Sequence, residues 1–177
     1  MTDKGKVETL VASDNIKGGK MAANFIISKV GENAKVVELQ GTPGASAARE
    51  RGQGFHAVAD KKLNVVAKQT ANFDRTQGLN VMENLLQGHK DIQAVFAQND
   101  EMALGAIEAI KSSGRDIIVV GFDGTDDGLK AVKQGRLSAT VAQQPVLIGK
   151  DAVIAASKVL KDKKVKSRIA VPLKLVK

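Results

Sequence analysis

The stretch that decides the fold reads Asp116-Ile117-Ile118-Val119-Val120-Gly121-Phe122-Asp123-Gly124-Thr125. Residues 117–120 are apolar, β-branched and without polar alternation, which is typical of a strand buried on both faces of a parallel sheet. Gly121 and Gly124 are expected to end that strand, with Asp123 at its carboxyl end. Open α/β sheets bind ligands at this end, so Asp123 is a candidate ligand-binding residue. The alternative is a turn aspartate that accepts hydrogen bonds from its own backbone.

Strands and helices are predicted to alternate on both sides of this stretch. Apolar runs predict further strands at residues 7–11, 35–39, 63–67, 94–97, 138–142 and 169–176. Helical spacing predicts helices at about residues 15–30, 47–59, 75–87, 101–111, 128–133 and 145–160, with Ser46, Asp74, Asn99 or Asp100, and Thr125 or Asp126 as caps. Alternating strands and helices with right-handed crossovers predict an α/β fold. We expect a doubly wound parallel sheet with helices on both faces, a flavodoxin-like three-layer sandwich.

Composition and charge narrow the function classes. The net charge is +8, but Lys and Arg are spread along the 177 residues, and Trp and Tyr are absent. We therefore expect no nucleic-acid partner. No apolar run is long enough to enter a membrane, and the absence of Cys excludes disulfides and thiol catalysis. Residues 1–6 lack the apolar core of a signal peptide, so the sequence as written is expected to stay in the cytoplasm.

Catalytic and metal-binding patterns are not found in the sequence. Residues 41–46 form a glycine-bearing loop without the ending of a phosphate loop, and no dinucleotide fingerprint follows a strand. His89 is best explained as a helix C-terminal residue and His56 as a surface or core histidine. Asp126-Asp127 fits the acidic start of a helix better than a cation site. We therefore predict no enzymatic activity, no catalytic residues, no cofactor and no metal.

Five positions near the predicted strand ends suggest a ligand. The loop and helix start at residues 41–51, which carry charged donors, follow the second strand, and Phe73, Asn99, Asp123 and Gln143 follow the third to sixth strands. Parallel strands place their carboxyl ends at one edge, so these side chains are expected to converge. The charged groups and amides would bind hydroxyls and the ring would pack on C–H groups, which fits a neutral polyol better than a phosphate. Simpler roles are a core residue for Phe73, a helix cap for Asn99 and a solvent contact for Gln143.

At these residues the chain resembles a known family over nearly its whole length. The segments that carry the resemblance are Ser13-Asp14-Asn15, Ser46-Ala47-Ala48-Arg49-Glu50-Arg51-Gly52, Asn72-Phe73-Asp74-Arg75, Gln98-Asn99-Asp100-Glu101-Met102-Ala103, Val119-Val120-Gly121-Phe122-Asp123-Gly124-Thr125 and Thr140-Val141-Ala142-Gln143. They resemble the ribose-binding members of the type I periplasmic sugar-binding family. The resemblance implies that D-ribose or a similar monosaccharide is bound by Arg51, Phe73, Asn99, Asp123 and Gln143. It also implies a periplasmic location, and an ABC transporter permease and a chemoreceptor as partners of the full-length family proteins.

The chain resembles only the later part of these two-lobed proteins. By resemblance, residues 1–13 are a remnant strand and crossover of the missing lobe, and 14–143 are a complete sugar-binding lobe. Residues 144–172 would pack on the missing lobe, and 173–177 are a returning terminal strand. Half a site is expected to bind ribose weakly or not at all. An exposed apolar helix within 144–172 would favour a homodimer through those residues.

Two other functions remain open at this point. The sugar-sensing core of regulators of the lactose-repressor type shares the fold, although no DNA-binding helix-turn-helix is found in the sequence. A ligand-free half-domain that forms homodimers is the other. Ribose-dependent stabilisation would separate the sugar-binding lobe from the ligand-free half-domain, and DNA binding would favour the regulator.

Overall fold

Helices and strands alternate along residues 7–177, the part of the chain that the computed structural model describes. The strands are β1 (Leu10–Ser13), β2 (Lys35–Gln40), β3 (Asn64–Thr70), β4 (Ala94–Ala97), β5 (Ile118–Asp123), β6 (Ala139–Ala142), β7 (Arg168–Val171) and β8 (Lys174–Val176). The helices are α1 (Asn15–Val30), α2 (Ser46–Lys62), α3 (Arg75–Gly88), α4 (Asp100–Ser112), α5 (Asp126–Lys133) and α6 (Pro145–Val159).

These elements form two units. The first, here the sheet unit, comprises Asn15–Ala142 and Lys174–Lys177. The second, here the terminal unit, comprises the described residues up to Asp14 together with Gln143–Leu173. Each unit is therefore discontinuous in sequence.

The sheet unit is built on six strands in the order β3-β2-β4-β5-β6-β8. All neighbouring pairs are parallel except β6 and β8. Helices α1 and α2 cover one face, and α3 and α4 cover the other, where Val37, Leu39 and Val95 join the main apolar core. On the first face, the buried rings of Phe55 and Phe96 stack at 4.7 Å. The predicted α/β doubly wound sheet is confirmed, and its strand order reverses between β2 and β4, where such sheets bind ligands.

Side-chain caps begin three of the described helices, as predicted. Asp74, Asn99 and Thr125 accept hydrogen bonds from backbone N–H groups three residues ahead, at 2.8, 2.9 and 3.1 Å. The prediction that Ser46 caps α2 was wrong. The cap position is Ala45, which makes no side-chain cap bond, and Ser46 is the first residue of the helix.

Strand β5 continues past Gly121, contrary to the prediction that this glycine ends it. Gly121 pairs with Thr140 of β6. A Cβ on Gly121 would lie 2.4 Å from Oδ1 of Asp100, so the glycine makes room for a buried side chain within a strand. The strand ends two residues later, where Asp123 has φ 118° and Gly124 has φ 72°.

Residues 169–176 form two strands instead of the single strand predicted. In the terminal unit, strand β7 pairs in parallel with β1. In the sheet unit, β8 pairs antiparallel with β6. Pro172 lies between them, and a proline has no N–H to continue a ladder. The bounds predicted for the first strand, residues 7–11, were also wrong, since β1 starts at Leu10 and ends at Ser13.

The terminal unit contains the β1–β7 pair, on which α6 packs. Of the 15 residues of α6, Ala155 is buried and the others are partly or fully exposed. None of the helices in residues 7–177 combines the length and the apolar character that a membrane crossing requires.

Candidate functional site

A buried arginine lies at the carboxyl ends of the strands. Arg51, in α2, is 5% exposed, and its Nη2 is 3.0 Å from Oδ1 of Asp123. Its Nη1 donates to the carbonyl oxygen of Gln98 at 2.5 Å, and its Nε donates to Oδ1 of Asn15 at 3.1 Å. Its Cζ lies 3.8 Å from the ring centroid of Phe122. Burial lowers the pKa of Arg51, and the Asp123 carboxylate acts against that shift. The guanidinium is therefore fixed in position by an ion pair, two hydrogen bonds and a ring.

Close packing of α1 on α2 brings Asn15 to this arginine. A Cβ on Gly19 would lie 2.1 Å from the carbonyl oxygen of Arg51, and one on Gly54 would lie 2.0 Å from that of Ile16. The glycines therefore allow the two helix backbones to touch.

Phe73 and Asn99 meet next to the arginine. The Phe73 ring centroid is 5.8 Å from Cζ of Arg51, and a Cβ on Gly41 would lie 2.0 Å from that ring. Nδ2 of Asn99 donates to the carbonyl oxygen of Phe73 at 3.0 Å, while its Oδ1 caps α4. Asn99 is thus a helix cap, and Phe73 packs partly against the core. The second N–H of the Asn99 amide can still donate to a ligand.

Backbone strain is concentrated at this site. Asp123 has φ 118°, Phe73 has φ 61° and Asn72 has φ 53°. A non-glycine residue in such a conformation costs about 1–3 kcal/mol, and strained residues cluster at functional sites. Two of the four candidate residues in the sheet unit are therefore held in costly conformations.

The structure brings four of the five predicted residues together. Arg51, Phe73, Asn99 and Asp123 lie within the sheet unit and are joined by the contacts above. Gln143 follows β6 directly but belongs to the terminal unit, where its Oε1 accepts a hydrogen bond from Oγ of Ser13 at 2.7 Å.

A model of the family described as periplasmic binding protein domain matches residues 2–164. The chain belongs to this periplasmic binding protein family. It is 69% identical over 173 residues to the ribose import binding protein of Bacillus subtilis (strain 168), which covers 98% of this chain and 57% of that protein. The chain thus spans less than two thirds of the length of this relative.

Solved structures of periplasmic binding proteins have the same fold. An ABC transporter periplasmic solute-binding protein from Actinobacillus succinogenes 130z with bound D-allose is 31% identical, with a TM-score of 0.90 over 95% of this chain and 60% of that one. A periplasmic ribose ABC transporter structure from Conexibacter woesei is 29% identical, with a TM-score of 0.90 over 95% and 58%. Both similarities extend over nearly all of this chain.

Three contacts of the arginine were missed by the sequence reasoning. Phe122 lies directly before Asp123, but its position inside β5 was obscured by the wrong strand end at Gly121. Asn15 was interpreted only as part of a helix start. Gln98 contributes a backbone carbonyl, and no residue type signals that role. The one signal available in the sequence was that Phe122 precedes Asp123 and Gln98 precedes Asn99, both of which were candidate site residues.

A buried carboxylate supports the site from the α2 side of the sheet. Glu38, on β2, is 0% exposed and accepts from Nε2 of Gln98 at 2.9 Å, and Oε1 of Gln98 accepts from the N–H of Gly41 at 2.9 Å. Nε2 of His56 lies 3.1 Å from Glu38, and its Nδ1 lies 2.6 Å from Asp60. Hydrogen bonding to Glu38, and then to Asp60, raises the pKa of His56 to about 9, although partial burial opposes the shift. At neutral pH the ring is therefore a cation that donates from both nitrogens.

The electrostatics of the site suit an uncharged ligand. The positive Arg51 is paired with the negative Asp123, and the Asp100 carboxyl group also acts on Arg51, so the site has no excess positive charge for an anion. The side chain of Asp123 is 25% exposed, which leaves part of the carboxylate accessible to a ligand. Within residues 7–177, no group of three or more His, Asp or Glu side chains is placed to hold a metal ion.

Proposed function

We propose that the sheet unit is the ribose-binding half of a non-enzymatic solute-binding protein that serves a sugar importer. The observation that carries the proposal is the ion pair of Arg51 and Asp123, with Phe73 and Asn99 beside it, at the strand-order reversal of the sheet. The 69% identity to a ribose import binding protein supports ribose as the ligand and favours transport over gene regulation.

Each candidate residue offers a contact that a sugar needs. Arg51 has five N–H donors, of which three are engaged by Asp123, Gln98 and Asn15, so further N–H groups can donate to sugar oxygens. The Asp123 carboxylate accepts from hydroxyls, and the Asn99 amide donates. The Phe73 ring offers an apolar surface for C–H groups. A phosphate would need more cations than this neutral pair supplies.

A weak affinity is expected for the chain alone. The sheet unit offers four of the five candidate contacts, and further contacts would have to come from parts of the longer relatives that this chain does not span. Hydrogen bonds to charged groups contribute about 1.5–3 kcal/mol each, so each missing one weakens binding by roughly one to two orders of magnitude. Saturable binding at high ribose concentration is the expected result.

The test is a titration of the ¹⁵N-labelled chain with D-ribose, because chemical shifts detect weak, fast-exchanging ligands. Saturable shifts are expected at the amides near Arg51, Asn99 and Gly124. The variant Asp123→Ala should lose them, and Asp126→Ala, which removes an exposed carboxylate from the nearby helix start, should keep them. The proposal is wrong if no amide shifts saturably, or if Asp123→Ala binds as the wild type does. The first result would favour a ligand-free half-domain.

We also propose that this chain forms a homodimer through α6 and its surroundings, within residues 144–172. The supporting feature is an exposed stripe at heptad spacing on the helix and its C-terminal cap residue: Val146, Gly149, Val153, Ala156 and Leu160. Val146 is 87% exposed, Val153 71% and Leu160 85%. Apolar residues at this spacing favour pairing with a second helix, and the small residues allow a close approach.

Sedimentation velocity across a concentration series tests the dimer. The wild-type chain should sediment as a dimer at high concentration, and Val153→Lys should remain monomeric. Lys158→Glu, at an exposed position of the same helix outside the stripe, is the matched control and should still dimerise. A wild-type monomer at all concentrations would contradict the proposal.

For the whole protein, we propose a periplasmic location, an ABC transporter permease as the receiving partner and a chemoreceptor as a second partner. The import function in the name of the Bacillus subtilis relative supports the permease. The family description supports the periplasm.

A further inference from the structure

A second carboxylate lies directly behind the candidate site. Asp100 is the first residue of α4, follows Asn99 and is 0% exposed. Its Oδ1 accepts from the hydroxyl of Thr140 at 2.7 Å. Its Oδ2 accepts from the backbone N–H of Thr125 at 2.8 Å and from the hydroxyl of Thr125 at 3.0 Å. The carboxylate of Asp100 therefore joins the start of α4, the turn after β5 and strand β6.

The two threonine hydroxyls extend these bonds to the backbone. Oγ1 of Thr140 accepts from the N–H of Gly124 at 3.3 Å, and Oγ1 of Thr125 accepts from the N–H of Gly128 at 3.1 Å. A hydroxyl has one proton to donate, and in both threonines that proton goes to Asp100. Three backbone N–H groups that follow Asp123 are thus fixed directly or indirectly by one carboxylate.

Asp123, the residue just before these hydrogen-bonded N–H groups, has a strained backbone conformation. Asp123 has φ 118° and Gly124 has φ 72°. A strained conformation persists only where its surroundings over-determine it. The N–H groups of Gly124 and Thr125, the next two residues, are held by the Asp100 network.

We propose that Asp100, through the hydroxyls of Thr125 and Thr140, is a positioning residue that holds Asp123 in this conformation and so directs its carboxylate toward Arg51 and the ligand. The part that concerns the ligand rests on the proposed sugar-binding function. The part that concerns the conformation of Asp123 does not.

The contacts do not match a role for Asp100 as a simple helix-start acid. The side chain that caps α4 is Asn99, which accepts from the N–H of Met102. Oδ1 of Asp100 faces Thr140 in β6, and Oδ2 faces Thr125 in the turn after β5. Neighbouring glycines leave room for them: a Cβ on Gly128 would lie 2.3 Å from Oδ2. Burial raises the pKa of Asp100, and the hydrogen bonds from Thr140 and Thr125 act against that shift.

The test measures the conformation of Asp123 without any sugar. The coupling between the amide and α protons reports φ: it is small for a residue at the observed angle and large for an extended residue. Wild-type chain and Thr140→Ser should show the small coupling, because serine keeps the hydroxyl. Thr140→Val, which keeps the shape, and Asp100→Asn, which places an NH₂ group against one of the donors, should show a larger coupling. Asp126→Asn, an exposed acid in the same turn, is the matched control and should resemble the wild type.

A ribose titration of the same variants gives the second readout. Tenfold or greater weakening is expected for Thr140→Val and Asp100→Asn, with little change for Thr140→Ser. An unchanged Asp123 coupling in Thr140→Val would overturn the inference, even if the variant is less stable. If Asp100→Asn does not fold, the coupling in Thr140→Val alone tests the positioning role. If the wild-type chain binds no ribose but the couplings change as expected, the positioning role stands and the proposed function fails.

Discussion

Replacing His56 by glutamine should remove a pH-dependent part of the stability of this protein. The imidazole bridges Glu38, which is completely buried, and Asp60, which is exposed. The two carboxylates raise the pKa of His56 to about 9, so the folded protein binds this proton more tightly than the unfolded chain does. The resulting stability is fully present below the unfolded pKa of about 6.5 and is lost as the pH rises through about 9.

The magnitude follows from the size of this shift. A change from 6.5 to about 9 corresponds to about 3 kcal/mol of preference for the charged ring. The side chain of His56 is 21% exposed and that of Asp60 is 60% exposed, so solvent screens part of the interaction between them. We therefore expect roughly 1–2 kcal/mol of unfolding free energy to disappear between about pH 6 and pH 10.

Urea unfolding across this pH range measures the effect. The difference between wild type and His56→Gln is the quantity of interest, because it cancels the titration of other groups. That difference should shrink as the pH rises through about 9, the pKa of His56 in the folded protein. The reasoning is refuted if the His56 difference does not depend on pH, or if the ring titrates near 6.5 by NMR in the folded protein.

Two further variants test the packing around the site. Gly121→Ala would place a Cβ 2.4 Å from an oxygen of Asp100 that is already hydrogen-bonded, so we expect a loss of about 1–3 kcal/mol in thermal or urea unfolding. Gly88→Ala, where a Cβ meets nothing within 4 Å, is its control and should change stability by less than about 1 kcal/mol. Phe55→Ala removes a fully buried ring that stacks on Phe96 and should cost about 3–5 kcal/mol by the same measurement, and a loss below about 1 kcal/mol would contradict the packing described.

Much of the fold could be predicted because local signals and tertiary structure agree. The apolar β-branched run before Phe122 is a buried strand, and Asp74 and Asn99 begin helices with the bonds expected of caps. The order of strands and helices then places their ends at one edge. That is why reasoning from strand ends selected Asp123 and the segment 41–51, whose Arg51 the structure brings into contact with Asp123.

What could not be predicted depends on partners that are distant in sequence. Gly121 looked like a strand breaker because a glycine shows nothing of the side chain that occupies its missing Cβ. The hydroxyls of Thr125 and Thr140 were not recognised as a network, since threonine is ordinary in both turns and strands. Residues 169–176 looked like one strand because a single Pro172 does not reveal that the strands before and after it pair in different sheets.

The pairing of β1 with β7 has a consequence for the order in which the protein folds. Leu10 is in register with Arg168, so almost the whole chain lies between two adjacent strands. During synthesis from the N-terminus, β1 leaves the ribosome well before β7, so it must wait for its partner strand. The strands and helices of Asn15–Ala142 can meanwhile collapse around their own core. Once that core has formed, it shortens the effective loop that β1 and β7 must close and lowers the entropic cost of bringing them together.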